Sequence, residues 1–265
     1  MIRVGTLIVV LTVLAATLGP VLTPYDPSAQ PDIVALKDLP PSLAHPFGTD
    51  PYSRDVLSRV IYGARLSLLI GVLATIVSLT LGVAYGAIAG YAGGFLDAVM
   101  MRLLDALLSI PRLLLLIGVL AAWPRLSIGA LVLFLGFTGW FGLSRIVRGQ
   151  VLALKHAEFV MAARALGASR RRILFRHLLP NLVSPIVVAA TLGVAHVIVL
   201  EAGLSYLGIG VPQPQASWGN IIYDGADQVA TLWWMSLFPG LFMVFTVMTL
   251  NILSEALRDT YDRRS

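Results

Sequence analysis

Between Arg65 and Asp97 the chain carries no Asp, Glu, Lys or Arg, and the stretch is dense in small residues: Gly71, Gly82, Gly86 and Gly90. A run of that length and polarity suits a helix that satisfies its own backbone and turns its side chains to lipid. Spanning segments are expected at 2–22, 64–90, 111–122, 128–146, 181–208 and 233–253, the third being the shortest. With 57% hydrophobic and 12% charged residues, lipid is the solvent for most of the chain. The prediction is an all-α membrane protein with six transmembrane helices. The net charge of +5 then marks membrane sidedness and gives no signal for nucleic acid. No cysteine is present, which excludes disulfides and thiolate metal sites. The first apolar run lacks an A-x-A-like exit and contains or precedes Pro20 and Pro24, so it reads as a retained helix and not as a cleaved leader.

The basic residues orient the spans. Arg3, Arg102, Arg112, the residues from Arg145 to Arg176, and Arg258, Arg263 and Arg264 fall on one side; Lys37, Arg54, Arg59, Arg65 and Arg125 fall on the other. That asymmetry places both termini in the cytoplasm. On the outer side, loop 23–59 is rich in Pro and Asp. Its second half is expected to form a short amphipathic helix with Asp55 and Arg59 spaced to pair. Gly93-Gly94 should break the second span, and segment 96–109, with Asp97, Arg102 and Asp105, should lie at the interface. Loop 211–232 has no Lys or Arg; its Trp218 and Asp224 suit an external partner, or equally an interfacial anchor and a solvated carboxylate. Trp233 and Trp234 are placed as interfacial anchors.

One stretch interrupts the apolar pattern, EFVMAARALGASRRRILFRHLLP, from Glu158 to Pro180. Phe159, Ala162, Ala163 and Leu166 recur at helical spacing. Gly167 offers a left-handed helix end, Ser169 is a good N-cap, and Pro180 is expected to stop the second helix. Arg170, Arg171, Arg172 and Arg176 can pair with carboxylates, although positive-inside bias alone would also put arginines there. The result is a cytoplasmic helix-turn-helix built for docking.

These residues resemble the loop E-A-A-x3-G-x9-I-x-L-P by which permease subunits of type I ABC importers insert into their ATPase. Here the pattern reads Met161-Ala162-Ala163, Gly167 and His177-Leu178-Leu179-Pro180, with Met161 in place of the Glu and His177 in place of the Ile. HPFGTDPYSRDVLSRVIYGAR, EAGLSYLGIG, SWGNII and FPGLFMVFTVMTLNILSEALRD resemble further motifs of the dipeptide, oligopeptide and nickel branch, in particular its C-type permease.

The resemblance implies the type I importer permease fold. It divides the chain into an N-terminal helix and external loop over 1–63 and a five-helix core over 64–265, with a coupling loop at 150–180. It also implies a bacterial or archaeal plasma membrane, a homologous permease partner, two ATPase subunits that bind ATP and Mg, and an external substrate-binding protein. The ATPase-coupling residues it picks out are Met161, Ala162, Ala163, Gly167, Ser169, Arg170, Arg171, Arg172 and Pro180. The chain has no G-x-x-x-x-G-K-[ST] and no H-E-x-x-H, so a P-loop or zincin activity of its own is excluded, and no cofactor is expected on it. Glu201 is the one acidic residue deep in a predicted span. It must face protein or water, either lining the translocation path or holding two spans in register. The cargo stays open among peptides, nickel chelates and other small solutes. A self-contained secondary transporter should show matching halves and several intramembrane charges, and neither is visible.

Overall fold

The computed structural model describes residues 18–23, 25–123 and 127–262. After a single turn, Gly19–Leu22, and a long irregular segment the described residues form eight longer helices, α1 (Val56–Ala92), α2 (Gly94–Leu108), α3 (Arg112–Ala121), α4 (Ile128–Leu154), α5 (Glu158–Ala165), α6 (Arg170–Tyr206), α7 (Trp218–Asp224) and α8 (Trp234–Asp262), with a 3-10 turn at Ala226–Gln228 before the last. No strand is present among the described residues. The helices α1, α4, α6 and α8 are each long and apolar enough to cross a membrane. The helices α2 and α3 qualify only together, as a pair bent by 70°. The expected span at 111–122 is thus too short alone: ten helical residues rise about 15 Å, half of a hydrocarbon core. The span expected at 2–22 lies, apart from its last turn, outside the described residues, as do Arg3, Arg125, Arg263 and Arg264.

The amphipathic helix expected around residue 55 is the beginning of α1, which continues unbroken to Ala92. Asp55 caps it, accepting from the backbone N–H of Ser58 at 2.7 Å and facing His45 Nδ1 at 2.9 Å. The expected Asp55–Arg59 pair does not form, because the cap and the histidine occupy that carboxylate. Gly93 and Gly94, at φ +67° and +57°, then let the chain turn into α2.

The central seam joins α1 to α4, and small residues set its spacing. A Cβ at Gly86 would stand 2.4 Å from the carbonyl oxygen of Ser144; at Gly136, it would stand 2.6 Å from Val77 Cβ. Ser78 Oγ donates to the carbonyl of Gly136 at 2.9 Å across the same contact. Where lipid removes any hydrophobic drive between helices, such close approach supplies dispersion contacts that larger residues would forbid. At one end of this seam Arg148 holds Asp97 of α2 with two bonds, 2.5 and 2.7 Å long. Lys155 Nζ donates to the carbonyl of Gly90 at 3.2 Å beside it. On its other side α1 meets α6, where Gly71 lies against Val194 and Ile198.

At the opposite end, residues 25–55 and 211–233 form a cap over α1, α6 and α8. Trp218 is fully buried and donates its indole N–H to the carbonyl of Val60 at 3.0 Å. Trp234 donates to the carbonyl of Thr49 at 3.1 Å, and Phe47 stacks on Phe238 at 3.8 Å. Neither Trp218 nor Trp234 is therefore an interfacial anchor. Their indole N–H groups have partners inside the protein, and of these three tryptophans Trp233 is the one left half exposed.

Candidate functional site

Two constellations stand out, one at each end of the seam. The first is the loop between α4 and α6. The N-terminal part of α5 packs inward through Val160, which is fully buried beside Ile173 and Leu178. The apolar residues expected on its functional face point away from the chain: Phe159 and Met161 are about half exposed, and Leu166 is 89% exposed. Ala162 is exposed and Ala163 half-buried next to them. Gly167 has φ +79°, and the backbone N–H of Ala168 donates to the carbonyl of Ala163 at 3.0 Å, a left-handed helix end of the expected kind. Ser169 caps the next helix, accepting from the N–H of Arg172 at 3.4 Å.

Arg170, Arg171 and Arg172 form the first turn of α6 and are exposed with Arg176 and Phe175. Pro180 departs from expectation. The helix does not stop there; it widens into a π segment over Ile173–Leu178 and tightens into a 3-10 turn over Leu179–Leu182 before resuming as α-helix. Changing the hydrogen-bond spacing on either side of the ring accommodates the missing N–H. Asn181 Nδ2 donates to the carbonyl of His177 at 2.6 Å within this joint. The second half of the docking loop, from Arg170, and the span that follows it are consequently one continuous helix of 37 residues.

The second constellation is polar, buried, and lies beneath the cap. Glu201 is fully buried on α6. Ser205 Oγ donates to its Oε1 at 2.6 Å, and Ser67 Oγ of α1 donates to its Oε2 at 3.1 Å. The N–H of Val211 donates in turn to Ser205 Oγ at 2.9 Å. The carboxylate thus ties α1, α6 and the following loop together and faces no open space within this chain. His196 does not join it and points to the exposed side of α6.

Above it, Asp50, Arg54, Arg59 and Asp224 form a neutral, buried four-charge cluster. Arg54 reaches Asp50 at 2.6 Å and Asp224 at 2.8 Å; Arg59 reaches the same two carboxylates at 2.5 and 2.9 Å. Arg59 Nη2 is close to Asp224 without hydrogen-bond alignment, so that contact is Coulombic. Gln213 accepts from Arg54 at 3.0 Å and donates to Asp224 at 3.0 Å. Asp224 is therefore neither a solvated carboxylate nor free for an outside partner. This cluster is not visible from sequence spacing, because Arg54 and Asp224 stand 170 positions apart. The one available signal is that Asp50, Arg54 and Arg59 all fall within a quoted motif.

With this geometry in hand, comparison with known proteins defines the class. A family model described as binding-protein-dependent transport system inner membrane component matches residues 82–265, and the chain belongs to that family. It is a permease subunit of the ABC transporter class. Its relatives include the oligopeptide transport system permease protein OppC of Bacillus subtilis (strain 168). The two are 42% identical over 98% of this chain and 84% of that protein. The dipeptide transport system permease protein DppC of the same organism is 40% identical over 97% of this chain and 80% of its own length. Among solved structures, the fold is similar to a chain of the MetNI methionine ABC transporter in an inward-facing conformation. That match has a TM-score of 0.59 at 17% identity and covers 75% of this chain and 96% of that one.

Proposed function

We propose that this chain forms one half of the translocation pathway of a peptide importer, crossing a bacterial or archaeal plasma membrane six times with both termini in the cytoplasm. Its partners are a homologous permease, two cytoplasmic ATPase subunits that bind ATP and Mg and carry out the hydrolysis, and an external peptide-binding protein. The chain itself is not catalytic. Its first 63 residues add an outer helix and loop to a five-span core over 64–265, and α1 joins the two parts.

The observation that carries this reading is the outward-facing docking surface of α5 and α6. Phe159, Met161 and Leu166 are exposed beside Arg170, Arg171 and Arg172, and the helix that begins there runs through to Glu201 and Tyr206. A load applied at the arginine turn of α6 is delivered to the span without a break in the helix. The peptide cargo is supported by the names of the relatives. In this scheme Met161, Ala162, Ala163, Gly167 and Ser169 shape the element, the arginines attract an acidic rim, and Pro180 sits in the joint. With Met161 in place of an acid, the contact there is apolar. For Glu201 we propose the register role, which its full burial favours over a place on the path.

The test is to purify the tagged chain in mild detergent, identify what comes with it, and reconstitute the complex. We expect ATPase subunits, a second permease, and ATP-dependent uptake of di- or oligopeptides when the binding protein is supplied. Purification of the chain alone with transport driven by an ion gradient overturns the reading. A thiol introduced at Ser169 reports the orientation, because it should react only with reagent on the ATPase side.

A further inference from the structure

Four cations stand at the cap end among the described residues, and three are neutralised within the chain. Lys37 is 3.8 Å from Asp38, and Arg54 and Arg59 share Asp50 and Asp224. Arg65 has no carboxylate and no hydrogen-bond partner among the described residues, and it is exposed. It lies ten residues into α1 from the Asp55 cap, about 15 Å along the helix. The exposed face of α1 beyond it is apolar, through Leu69, Val72, Leu73 and Ile76. A guanidinium with no partner among the described residues at the head of such a face is costly against hydrocarbon, so it belongs to water or to a ligand.

Arg65 is also on the wall of a cleft of about 480 Å³, in the range of small-molecule sites. Tyr62, Leu66 and Leu69 of α1 line one side, and Pro214 and Gln215 of the loop before α7 line the other. The lining combines one forked cation, a phenol, an amide and the hydroxyl of Ser28 with apolar walls. A guanidinium accepts a carboxylate through two parallel N–H···O bonds, the phenol and amide can bond a peptide group, and the walls take a side chain of any shape. A lipid phosphate could engage the same guanidinium, and the vesicle composition in the test separates the two sources of negative charge.

We propose that Arg65 receives the C-terminal carboxylate of a short peptide in transit, with the side chain of that peptide against Leu66, Leu69 and Pro214. This rests on the peptide reading above and adds the chemical group that is selected.

The test uses the complete complex in phosphatidylcholine liposomes, with dialanine and dialanine amide as probes. Arg65→Cys should lower dialanine uptake about tenfold and leave uptake of the amide little changed. The chain has no other cysteine, so an aminoethyl thiosulfonate can restore the positive charge after assembly. That reagent should recover most of the uptake, and the anionic sulfonatoethyl reagent should not. Equal loss for both probes, or no recovery by the cationic reagent, overturns the proposal. A loss confined to vesicles containing phosphatidylglycerol also overturns it, by assigning Arg65 to a lipid headgroup. Arg65→Lys, which keeps the charge, should retain the preference for the free carboxylate, and losing that preference counts against the proposal. No uptake of dialanine or of a longer alanine peptide by the unmodified complex is a distinct result, and it sinks the peptide reading itself.

Discussion

The oxygens of Glu201 are shared between two serines, one on its own helix and one on α1, so what replaces the carboxylate matters more than that it is replaced. Glu201→Gln keeps an acceptor and the volume, and should leave assembly and transport near normal. Glu201→Leu leaves Ser67 without its partner and should cost about 1–3 kcal/mol, read as a lower unfolding midpoint of the detergent-solubilised complex. A Gln variant that assembles normally but transports abnormally would instead put Glu201 on the path. In the cap, Asp224→Asn removes a charge shared by two buried arginines and should cost about 3–5 kcal/mol in the same measurement. Adding Arg54→Gln should recover part of that loss, because one cation then suffices for Asp50. At this scale the sequence exposes a residue's oddity and hides its partner. Glu201 stands out as a lone acid in an apolar run, yet Ser67 lies 134 positions away and nothing in local spacing points to it.

Helices were legible where their limits are local and illegible where they depend on a bend or a joint. Gly93-Gly94 and Gly167 do what their left-handed freedom foretells, and Ser169 caps as expected. Pro180 does not end its helix, because a rule about a missing N–H cannot anticipate a wider turn that removes the need for it. The seam yields a contrast between two glycines on neighbouring helices. Gly86→Val should destabilise by about 1–3 kcal/mol or more through overpacking against Ser144 and Val147, whereas Gly142→Ala, with nothing within 4 Å, should be neutral or slightly stabilising. Unfolding midpoints of the two variants check this, and equal midpoints would show that close packing in the seam does not limit stability. Gly167→Val meets no neighbour, but its φ of +79° costs a branched residue about 1–2 kcal/mol. That strain should deform the loop, leave the spans intact, and uncouple ATP hydrolysis from uptake. Normal substrate-stimulated hydrolysis and uptake in that variant would contradict it.

For the molecule as a whole, composition alone announces a multi-pass membrane protein, and four long apolar helices with one bent pair agree. Hydropathy cannot show that 94–121 is bent by 70°, because a bend leaves the average unchanged. Association with the ATPase is also a property of this scale. The exposed arginines should act mainly as a field, since exposed ion pairs are worth about 0.2–1 kcal/mol each and are screened by salt. Reversing Arg170, Arg171 and Arg172 together to Glu should weaken binding strongly at low salt and far less at high salt. Binding of the triple variant that ignores ionic strength would assign the attachment to Phe159, Met161 and Leu166 instead.

The two faces of α1 have different evolutionary freedom. Against α4 it offers glycines whose replacement collides with backbone, so a side chain added there should cost the fold itself. Its opposite face, along Leu69, Val72 and Ile76, touches little among the described residues. Substitutions can accumulate on that stripe, and only the chain's neighbours will register them. A lineage can therefore change what this helix meets, whether a partner or a cargo, while inheriting the same fold.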